Sequence, residues 1–196
     1  MDQIPSEVIP NPIDTPRQQS KWVRFLIEII QTLILALILY FLIDSVIARV
    51  RVENISMEPT LVPGEFLLVN KLAYKWGTPR RGDIVVFHYP QNPEVDYIKR
   101  VVGLPGDMVS IRDGRVIVNS EIQDEPYISS PPEYTGDWTV NEGSLFVLGD
   151  NRNWSSDSHS WGFVPLENVV GRAMFIYWPL NKLRVIPQVT QLAAIQ

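Results

Sequence analysis

The pattern of apolar and polar residues divides the chain into three parts. Residues 1–20 are rich in Pro, Gln, Asp and Ser and show little apolar periodicity, which predicts a disordered tail. Residues 21–48 are mainly apolar and predict one helix. Residues 49–196 carry short apolar runs with a period of two, which is typical of β-strands. We therefore predict a tail, a transmembrane anchor and a β-rich domain.

The length of the apolar segment determines whether it can cross a bilayer. Only fifteen residues lie between Glu28 and Asp44, fewer than the ~20 that a spanning helix needs. Counting from Phe25 to Ala48 gives twenty-four positions, or about 36 Å, which suffices if the two carboxylates lie near opposite interfaces. An interfacial helix is one alternative, because the first two turns carry a polar stripe. A cleaved secretory signal is another, but the apolar run is long for one, and the tail before it is long and mostly uncharged.

Basic residues on either side of the helix indicate its orientation. Arg17, Lys21 and Arg24 precede it and favour a cytoplasmic N-terminus. Arg49 and Arg51 follow it and weaken that bias. We predict a single-pass protein of a cell membrane, with the lipid bilayer as a partner. The tail is expected in the cytoplasm, and residues 49–196 are expected outside it, in a periplasm or a lumen.

The part of the chain after the helix predicts a mostly β fold of antiparallel, coiled sheets. Its β-branched and aromatic runs are bounded by Gly and Pro, and they lie at 66–69, 84–87, 97–102, 108–112, 115–118, 145–148 and 173–177. Asp113-Gly114 joins two of these runs and is the strongest hairpin signal in the sequence. No segment here sustains helical amphipathicity over three turns.

Composition argues against several classes of function. The net charge is −5 and the pI is near 5.1, and no basic stripe is present that would bind nucleic acid. The sequence has no cysteine, so it offers neither a disulfide nor a thiolate. Its two histidines, His88 and His159, lie far apart and form no HExxH pair. We predict no metal site, no cofactor and no nucleic acid partner.

Ser56 and Lys99 are the candidate nucleophile and base. Ser56 lies in NISMEPT, residues 54–60, and Lys99 lies in YIKR, residues 97–100. A serine hydroxyl needs a base to take its proton, and a lysine can do so only when it is neutral. Burial can lower a lysine pKa from ~10.4 by several units. The alternatives are that Ser56 caps a turn before Pro59 and that Lys99 is a solvated residue at a strand edge.

A Ser-His-Asp triad is the competing arrangement. Neither His88 nor His159 accompanies a G-x-S-x-G turn, and both are expected at the surface. The β-lactamase pattern Ser-x-x-Lys is absent too, because Pro59 stands at the position that the lysine would take.

The two segments belong to a series of motifs that resembles the type I signal peptidases, or bacterial leader peptidases. The series includes RGDIVVF at 81–87, VGLPGD at 102–107, GDNR at 149–152 and WGFVP at 161–165. The resemblance runs from about Arg24 to about Pro179. It implies a membrane-bound serine endopeptidase that cleaves N-terminal signal peptides from exported precursor proteins with a Ser/Lys dyad. It also implies the β fold expected above.

The resemblance further implies roles for residues around the dyad. Ser155 matches the serine that hydrogen-bonds and orients the lysine, and Asp157 matches an acid that braces the site. Arg100 matches an arginine that pairs with the aspartate of the GDNR motif, here Asp150. His159 stands where the family usually has an arginine, so an ion pair with Asp157 would require a protonated imidazole.

The oxyanion hole is expected at the Ser56 backbone N–H and at Asn54. Many members of the family carry a serine at the position of Asn54, and its hydroxyl completes the hole. An asparagine offers an amide N–H instead, on a longer side chain.

The substrate pocket is expected at four residues, which are Val52, Leu61, Tyr97 and Ile98. Small apolar pockets would admit Ala one and three residues before the scissile bond, and an extended substrate would pair with Val50–Val52. Two other hypotheses stay open. One is a self-cleaving repressor-type Ser/Lys protease, which predicts a basic DNA-binding domain in place of the apolar helix. The other is an anchored β-domain with a lapsed active site, which Asn54 and His159 motivate.

Overall fold

A computed structural model describes residues 21–186 of the chain. The chain falls into a helical unit that ends at Leu42 and a β-rich unit that begins at Ile43. The tail predicted for residues 1–20 lies outside the described residues, and so do residues 187–196.

Helix α1, Lys21–Val46, is 26 residues long and mainly apolar. At ~1.5 Å per residue it measures about 39 Å, and its length and composition suffice to cross a membrane. None of its residues is buried against protein, which is typical of a helix that lipid surrounds. The predicted apolar helix is confirmed. It ends before the predicted boundary at Ala48, because Ile47 and Ala48 belong to the first strand.

Twelve strands follow in the described part of the chain. They are β1 (Ile47–Arg51), β2 (Phe66–Asn70), β3 (Ile84–Tyr89), β4 (Asn92–Gly103), β5 (Met108–Arg112), β6 (Arg115–Val118), β7 (Glu121–Ile122), β8 (Gly136–Thr139), β9 (Ser144–Leu148), β10 (Val164–Pro165), β11 (Val169–Trp178) and β12 (Arg184–Val185). A short helix α2 and four 3-10 turns connect them, at Ser158–Trp161, Ile55–Met57, Arg152–Trp154, Leu166–Asn168 and Leu180–Lys182. The predicted mostly β class is confirmed.

The larger sheet has eight strands in the order β1-β2-β11-β3-β4-β9-β10, with β12 paired to β11. All of these pairings are antiparallel. Strand β1 lies at one end of this order, so among the described strands it pairs only with β2. Strand β4 pairs with β3 along most of its length but with β9 only from Arg100 onward. The first half of β4 therefore keeps one backbone edge open.

The smaller sheet has four strands in the order β7-β6-β5-β8. Its central hairpin turns at Asp113-Gly114, where Arg112 lies opposite Arg115. Asp113 and Gly114 have φ angles of 51° and 71°, the left-handed values that a two-residue type I′ turn requires. The hairpin predicted from these two residues is confirmed.

The segment between β1 and β2 is fixed in the hydrophobic core on both sides of Ser56. Val52 precedes Ser56, Met57 and Leu61 follow it, and all three are buried in one cluster with residues of β2 and β11. Burying three such side chains contributes several kcal/mol, at about 1.5–3 kcal/mol each. The core packing therefore places Ser56 at a defined position beside the sheet.

Candidate active site

Ser56 lies in the middle of the 3-10 turn Ile55–Met57, and the turn is held at both ends. Asn54 precedes it, and its Oδ1 accepts the Ser56 N–H at 3.1 Å and the Ser56 hydroxyl at 2.7 Å. From the opposite side, the Asn151 backbone N–H donates to the Ser56 carbonyl at 3.0 Å. The Asn151 side chain donates to the Ile55 carbonyl at 3.1 Å. Because two of the three carbonyls of the turn are bonded to one residue, Asn151 fixes the direction in which Ser56 points.

Lys99 reaches Ser56 from strand β4. Its Nζ lies 2.8 Å from Ser56 Oγ and 3.1 Å from the Ile98 carbonyl oxygen. The residue is 2% exposed, and its ammonium lies 5.2 Å from the centre of the Tyr97 ring. The structure therefore brings together the two residues proposed for the dyad, 43 positions apart in sequence, in a site that largely excludes water.

The environment of Lys99 favours the neutral amine more than water does. Burial lowers the Lys99 pKa from 10.5 to about 8, against the carboxylates of Asp157 and Asp150, which act to raise it. Burial has the larger effect because the ammonium loses most of its hydration. At pH 8 about half of the lysine is then unprotonated, whereas a solvated lysine would be almost wholly charged.

Arg100 and Asp150 lie together behind the dyad. Successive strand residues point to opposite faces, so Arg100 projects away from Lys99. Its Nε and Nη2 donate to the two oxygens of Asp150 at 2.8 and 2.6 Å, and both side chains are buried. Nη2 also lies 3.3 Å from Thr60 Oγ1. The pair expected from the motifs is present and joins β4 to the loop that follows β9.

Asp157 connects that loop to His159. One carboxylate oxygen accepts the Gly149 N–H at 2.9 Å, and the other lies 2.6 Å from His159 Nδ1. Asp157 is fully buried, and the His159 ring stacks on Tyr134 with centroids 3.9 Å apart. The histidine therefore keeps the contact with Asp157, through a ring nitrogen where the family's arginine would use its guanidinium.

Ser155 is close to the site but does not make the hydrogen bond expected with Lys99. Its Oγ is buried and has no hydrogen-bond partner among the described residues. Gly149 separates it from Ser56, since a Cβ at Gly149 would collide with both Ser155 Oγ and the Ser56 carbonyl oxygen. Lys99 Nζ uses two of its three protons on Ser56 and Ile98. An orienting role for Ser155 stays a prediction.

A cleft of about 490 Å³ opens beside Ser56 between β1 and the first half of β4. Val52, Tyr97 and Ile98 line it, so three of the four residues that were predicted for a substrate pocket lie at one cleft. Leu61 does not line this cleft: it is 0% exposed and packs in the core below the nucleophile turn. The structure thus corrects the expected pocket at Leu61. A smaller cavity of about 190 Å³ lies on the lysine side, and it is lined in part by Lys99, Trp154 and Ser156.

The comparison with known families identifies the group to which this chain is related. The family model described as signal peptidase, peptidase S26, matches residues 24–178. The chain belongs to this family. The signal peptidase I of Leptolyngbya laminosa is 44% identical over 187 residues, which cover 89% of this chain and 92% of the relative. The signal peptidase I of Bacillus caldolyticus is 44% identical over 146 residues, covering 67% and 79%.

Two further relatives are a chloroplast protein and a protein whose structure has been solved. Thylakoidal processing peptidase 1 of Arabidopsis thaliana is 42% identical over 143 residues, covering 67% of this chain and 42% of the relative. A signal peptidase I from Enterococcus faecalis V583, known from a crystal structure, is 37% identical with a TM-score of 0.44. The match covers 49% of this chain and 97% of the chain in that structure. The predicted family and the predicted class of enzyme, a signal peptidase, are confirmed by the family match and by the curated relatives.

Sequence reasoning missed two residues at the site of this signal peptidase. The GDNR motif contains Asn151 and Gly149 but does not by itself indicate a role for either. In the structure Asn151 binds the Ile55 and Ser56 carbonyls, and Gly149 lies against the Ser56 carbonyl oxygen. The GDNR motif is the one feature of the sequence that could have indicated these two residues. A glycine and an asparagine beside a buried aspartate are typical of a loop that approaches another backbone closely.

Proposed function

We propose that this signal peptidase is anchored in a membrane by α1 and removes N-terminal signal peptides from exported precursor proteins. In this proposal Ser56 is the nucleophile and Lys99 is the general base. The observation that carries it is the 2.8 Å contact between Lys99 Nζ and Ser56 Oγ, made by a lysine whose burial lowers its pKa to about 8.

The proposed reaction has two stages. The neutral Lys99 amine accepts the Ser56 proton while Ser56 Oγ attacks the scissile carbonyl carbon. The resulting ammonium then protonates the leaving amine, and the acyl group stays on Ser56. In the second stage Lys99 removes a proton from water, which attacks the ester carbonyl. The ammonium then returns that proton to Ser56 Oγ as the ester bond breaks, and the signal peptide leaves as a free acid. The Ser56 N–H and the Asn54 amide are the proposed donors to the oxyanion.

The surrounding hydrogen bonds support this assignment by fixing the distance between the dyad atoms. Arg100 and Asp150 bind β4, which carries Lys99, to the loop that carries Asn151. Asn151 in turn holds the turn of Ser56. Asp157 holds the same loop through the Gly149 N–H. A displacement of about 1 Å at such a dyad can cost about 10² in rate, so these residues are proposed to act by positioning.

The cleft suits an extended peptide. Strand β1 and the first half of β4 each leave a backbone edge open among the described strands, and a substrate strand could pair with Val50–Val52. The side chains of Val52, Tyr97 and Ile98 would then form the apolar walls. Such walls favour small residues, such as Ala, one and three positions before the scissile bond.

Helix α1 is the proposed membrane anchor, with the N-terminal tail in the cytoplasm and the peptidase domain outside it. Support comes from its length and its exposed apolar surface and from Arg17, Lys21 and Arg24 before the span. A protease added outside sealed spheroplasts should digest the part of the chain after Ala48 and spare the tail. Protection of the C-terminal part would reverse the orientation.

The proposed activity is tested by incubating the detergent-solubilised protein with a purified precursor and sequencing the new N-terminus. A single cut after the signal peptide, absent from Ser56→Ala, is expected. A β-domain with a lapsed active site predicts that wild type and Ser56→Ala both leave the precursor intact, and that outcome would overturn the proposal.

A further inference from the structure

Asn54 makes two contacts that the proposed reaction has to break. Its Oδ1 accepts the Ser56 backbone N–H at 3.1 Å and the Ser56 hydroxyl at 2.7 Å. A backbone N–H can only donate, so the amide atom that faces it is the oxygen, and the Asn54 N–H₂ points elsewhere. The Ser56 N–H, one of the two expected oxyanion donors, is therefore occupied by the side-chain carbonyl of Asn54.

The proton of the Ser56 hydroxyl points toward Asn54 and away from Lys99. Lys99 Nζ donates to Ser56 Oγ at 2.8 Å, as an ammonium does. The hydroxyl has one proton, so it can donate to Asn54 Oδ1 or to a neutral Lys99 amine, but not to both. Lys99 therefore donates to Ser56 in the observed arrangement and does not accept its proton, so this arrangement is inactive whether the lysine is charged or neutral.

We propose that Asn54 holds a resting state of the active site, in which its side-chain carbonyl occupies the place of the substrate carbonyl on the Ser56 N–H and competes with Lys99 for the hydroxyl proton. An arriving substrate places its scissile carbonyl oxygen on the Ser56 N–H. The Ser56 proton then turns to the lone pair of the neutral Lys99 amine, and the Asn54 amide rotates to present its N–H₂ to the oxyanion. This inference rests on the proposed Ser/Lys mechanism and adds to it a positioning residue that acts before and during the reaction.

The side chain has room for this rotation. Asn54 is exposed and lines both the cleft of about 490 Å³ and the cavity of about 190 Å³. Its backbone, with φ −126° and ψ 168°, is that of a residue capping the turn Ile55–Met57. Capping accounts for the bond to the Ser56 N–H. The second and shorter bond, from the Ser56 hydroxyl, is not part of the cap and holds the proton that the nucleophile has to lose.

Asn54 also influences the protonation of Lys99. The charged groups that act on this lysine are Asp157 and Asp150, and both favour the ammonium. Its other neighbours are the Ser56 hydroxyl, the Ile98 carbonyl and the Tyr97 ring. By holding the hydroxyl proton, Asn54 turns the oxygen lone pair toward the ammonium and so favours it as well. Removing the Asn54 oxygen should therefore let Lys99 lose its proton at lower pH.

Asn54→Leu tests this, because leucine keeps the shape of asparagine and has no polar side-chain atom. The titration of Lys99 is followed by ¹⁵N NMR of the full chain in detergent micelles with labelled lysine, and Lys99→Met assigns the signal among the five lysines. The midpoint should fall by about half to one pH unit in Asn54→Leu. Ile55→Ala, in the same turn, removes no hydrogen bond to Ser56 and should leave the midpoint in place. An unchanged or raised midpoint in Asn54→Leu overturns the inference.

Kinetics of two variants separate the resting role from the donor role. Asn54→Ser keeps a donor on a shorter side chain, so its kcat should stay within about tenfold of wild type, while Asn54→Leu should lose about 10²–10³. Both should move the acidic limb of kcat/KM to lower pH. If Ser56→Ala is inactive but the acidic limb moves in neither Asn54 variant, the proposed resting state is wrong and the proposed mechanism survives. If Ser56→Ala cleaves the precursor, the proposed mechanism itself fails.

Discussion

The Arg100 guanidinium and the Asp150 carboxylate form a two-point hydrogen-bonded pair in the interior, at 2.8 and 2.6 Å, with 2% and 0% of their side chains exposed. A buried pair of this kind gains little over an apolar pair, but a single partner left alone is costly. Arg100→Met should therefore lower the free energy of unfolding by about 3–5 kcal/mol. Urea unfolding of the variant measures this change.

The double variant Arg100→Met/Asp150→Leu is the control for that measurement. It removes both charges, so it should recover part of the stability lost in Arg100→Met. If the double variant is less stable than the single one by the full cost of a second deletion, the two side chains contribute independently and the buried pair does not connect β4 to the loop.

Replacement of Lys99 should stabilise the fold at neutral pH. The folded pKa is about 8, below the ordinary 10.5, because of burial. The folded protein therefore binds fewer protons than the unfolded chain between these values, and the wild type loses stability as the pH falls from 10.5 to 8. At 1.36 kcal/mol per pH unit the penalty approaches about 3 kcal/mol below pH 8. Lys99→Met removes the ammonium, so its free energy of unfolding at neutral pH should exceed that of the wild type by part of this penalty.

Unfolding of Lys99→Met and of the wild type at pH 7 and at pH 10.5 tests this claim. The variant should be more stable at pH 7, and the difference should shrink at the higher pH, where the wild-type lysine is neutral in the folded protein. A variant that is less stable by the same amount at both values would show that the Lys99 hydrogen bonds outweigh the cost of burying its charge.

The pH dependence of kcat/KM should follow Lys99. The rate should rise with pH through about 8, since burial places the lysine pKa there and only the neutral amine accepts the Ser56 proton. His159→Arg keeps a positive charge beside Asp157 at every pH, so it removes any step due to histidine and should leave this limb in place. If the main limb disappears with His159, histidine is the base.

Gly149 should tolerate no side chain. A Cβ there would collide with the Ser56 carbonyl oxygen, a backbone atom, and with Ser155 Oγ. Gly149→Ala should therefore shift the nucleophile turn and lower kcat by about 10² or more. Gly143→Ala is the matched control: a Cβ there meets nothing within 4 Å, but φ is +74°, so it should cost about 1–2 kcal/mol of stability and leave the turn alone. Equal losses of activity in both variants would attribute the effect to stability.

The sequence predicted the elements whose signal is local. Asp113-Gly114 determined a hairpin, and the β-branched runs determined the long strands, because backbone propensity and alternation act over a few residues. Strands β7, β10 and β12 have two residues each, too few to show a period. Strand β4 begins at Asn92, earlier than the apolar run at Tyr97. Its first five residues are exposed and mostly polar, so they show no apolar run.

The site was predictable in its residue types and not in its contacts. Motifs pointed to Ser56 and Lys99, but which side chains lie against them depends on packing between segments far apart in the chain. Leu61 shows the limit: an apolar residue after the nucleophile suits a pocket or the core equally well, and only the tertiary structure buries it. The direction in which the Asn54 amide faces depends likewise on the fold of the turn.

The central claim is that the amine of Lys99 is the base for Ser56. The chain has no cysteine, so Lys99→Cys introduces a single thiol that bromoethylamine converts into a lysine analogue after unfolding in detergent. Precursor cleavage is then measured before and after the reaction, with iodoacetamide as a control that adds no amine. We expect no cleavage by Lys99→Cys, a return of activity with the aminoethyl group and none with the amide. Near-native cleavage by Lys99→Cys before any modification would contradict the claim.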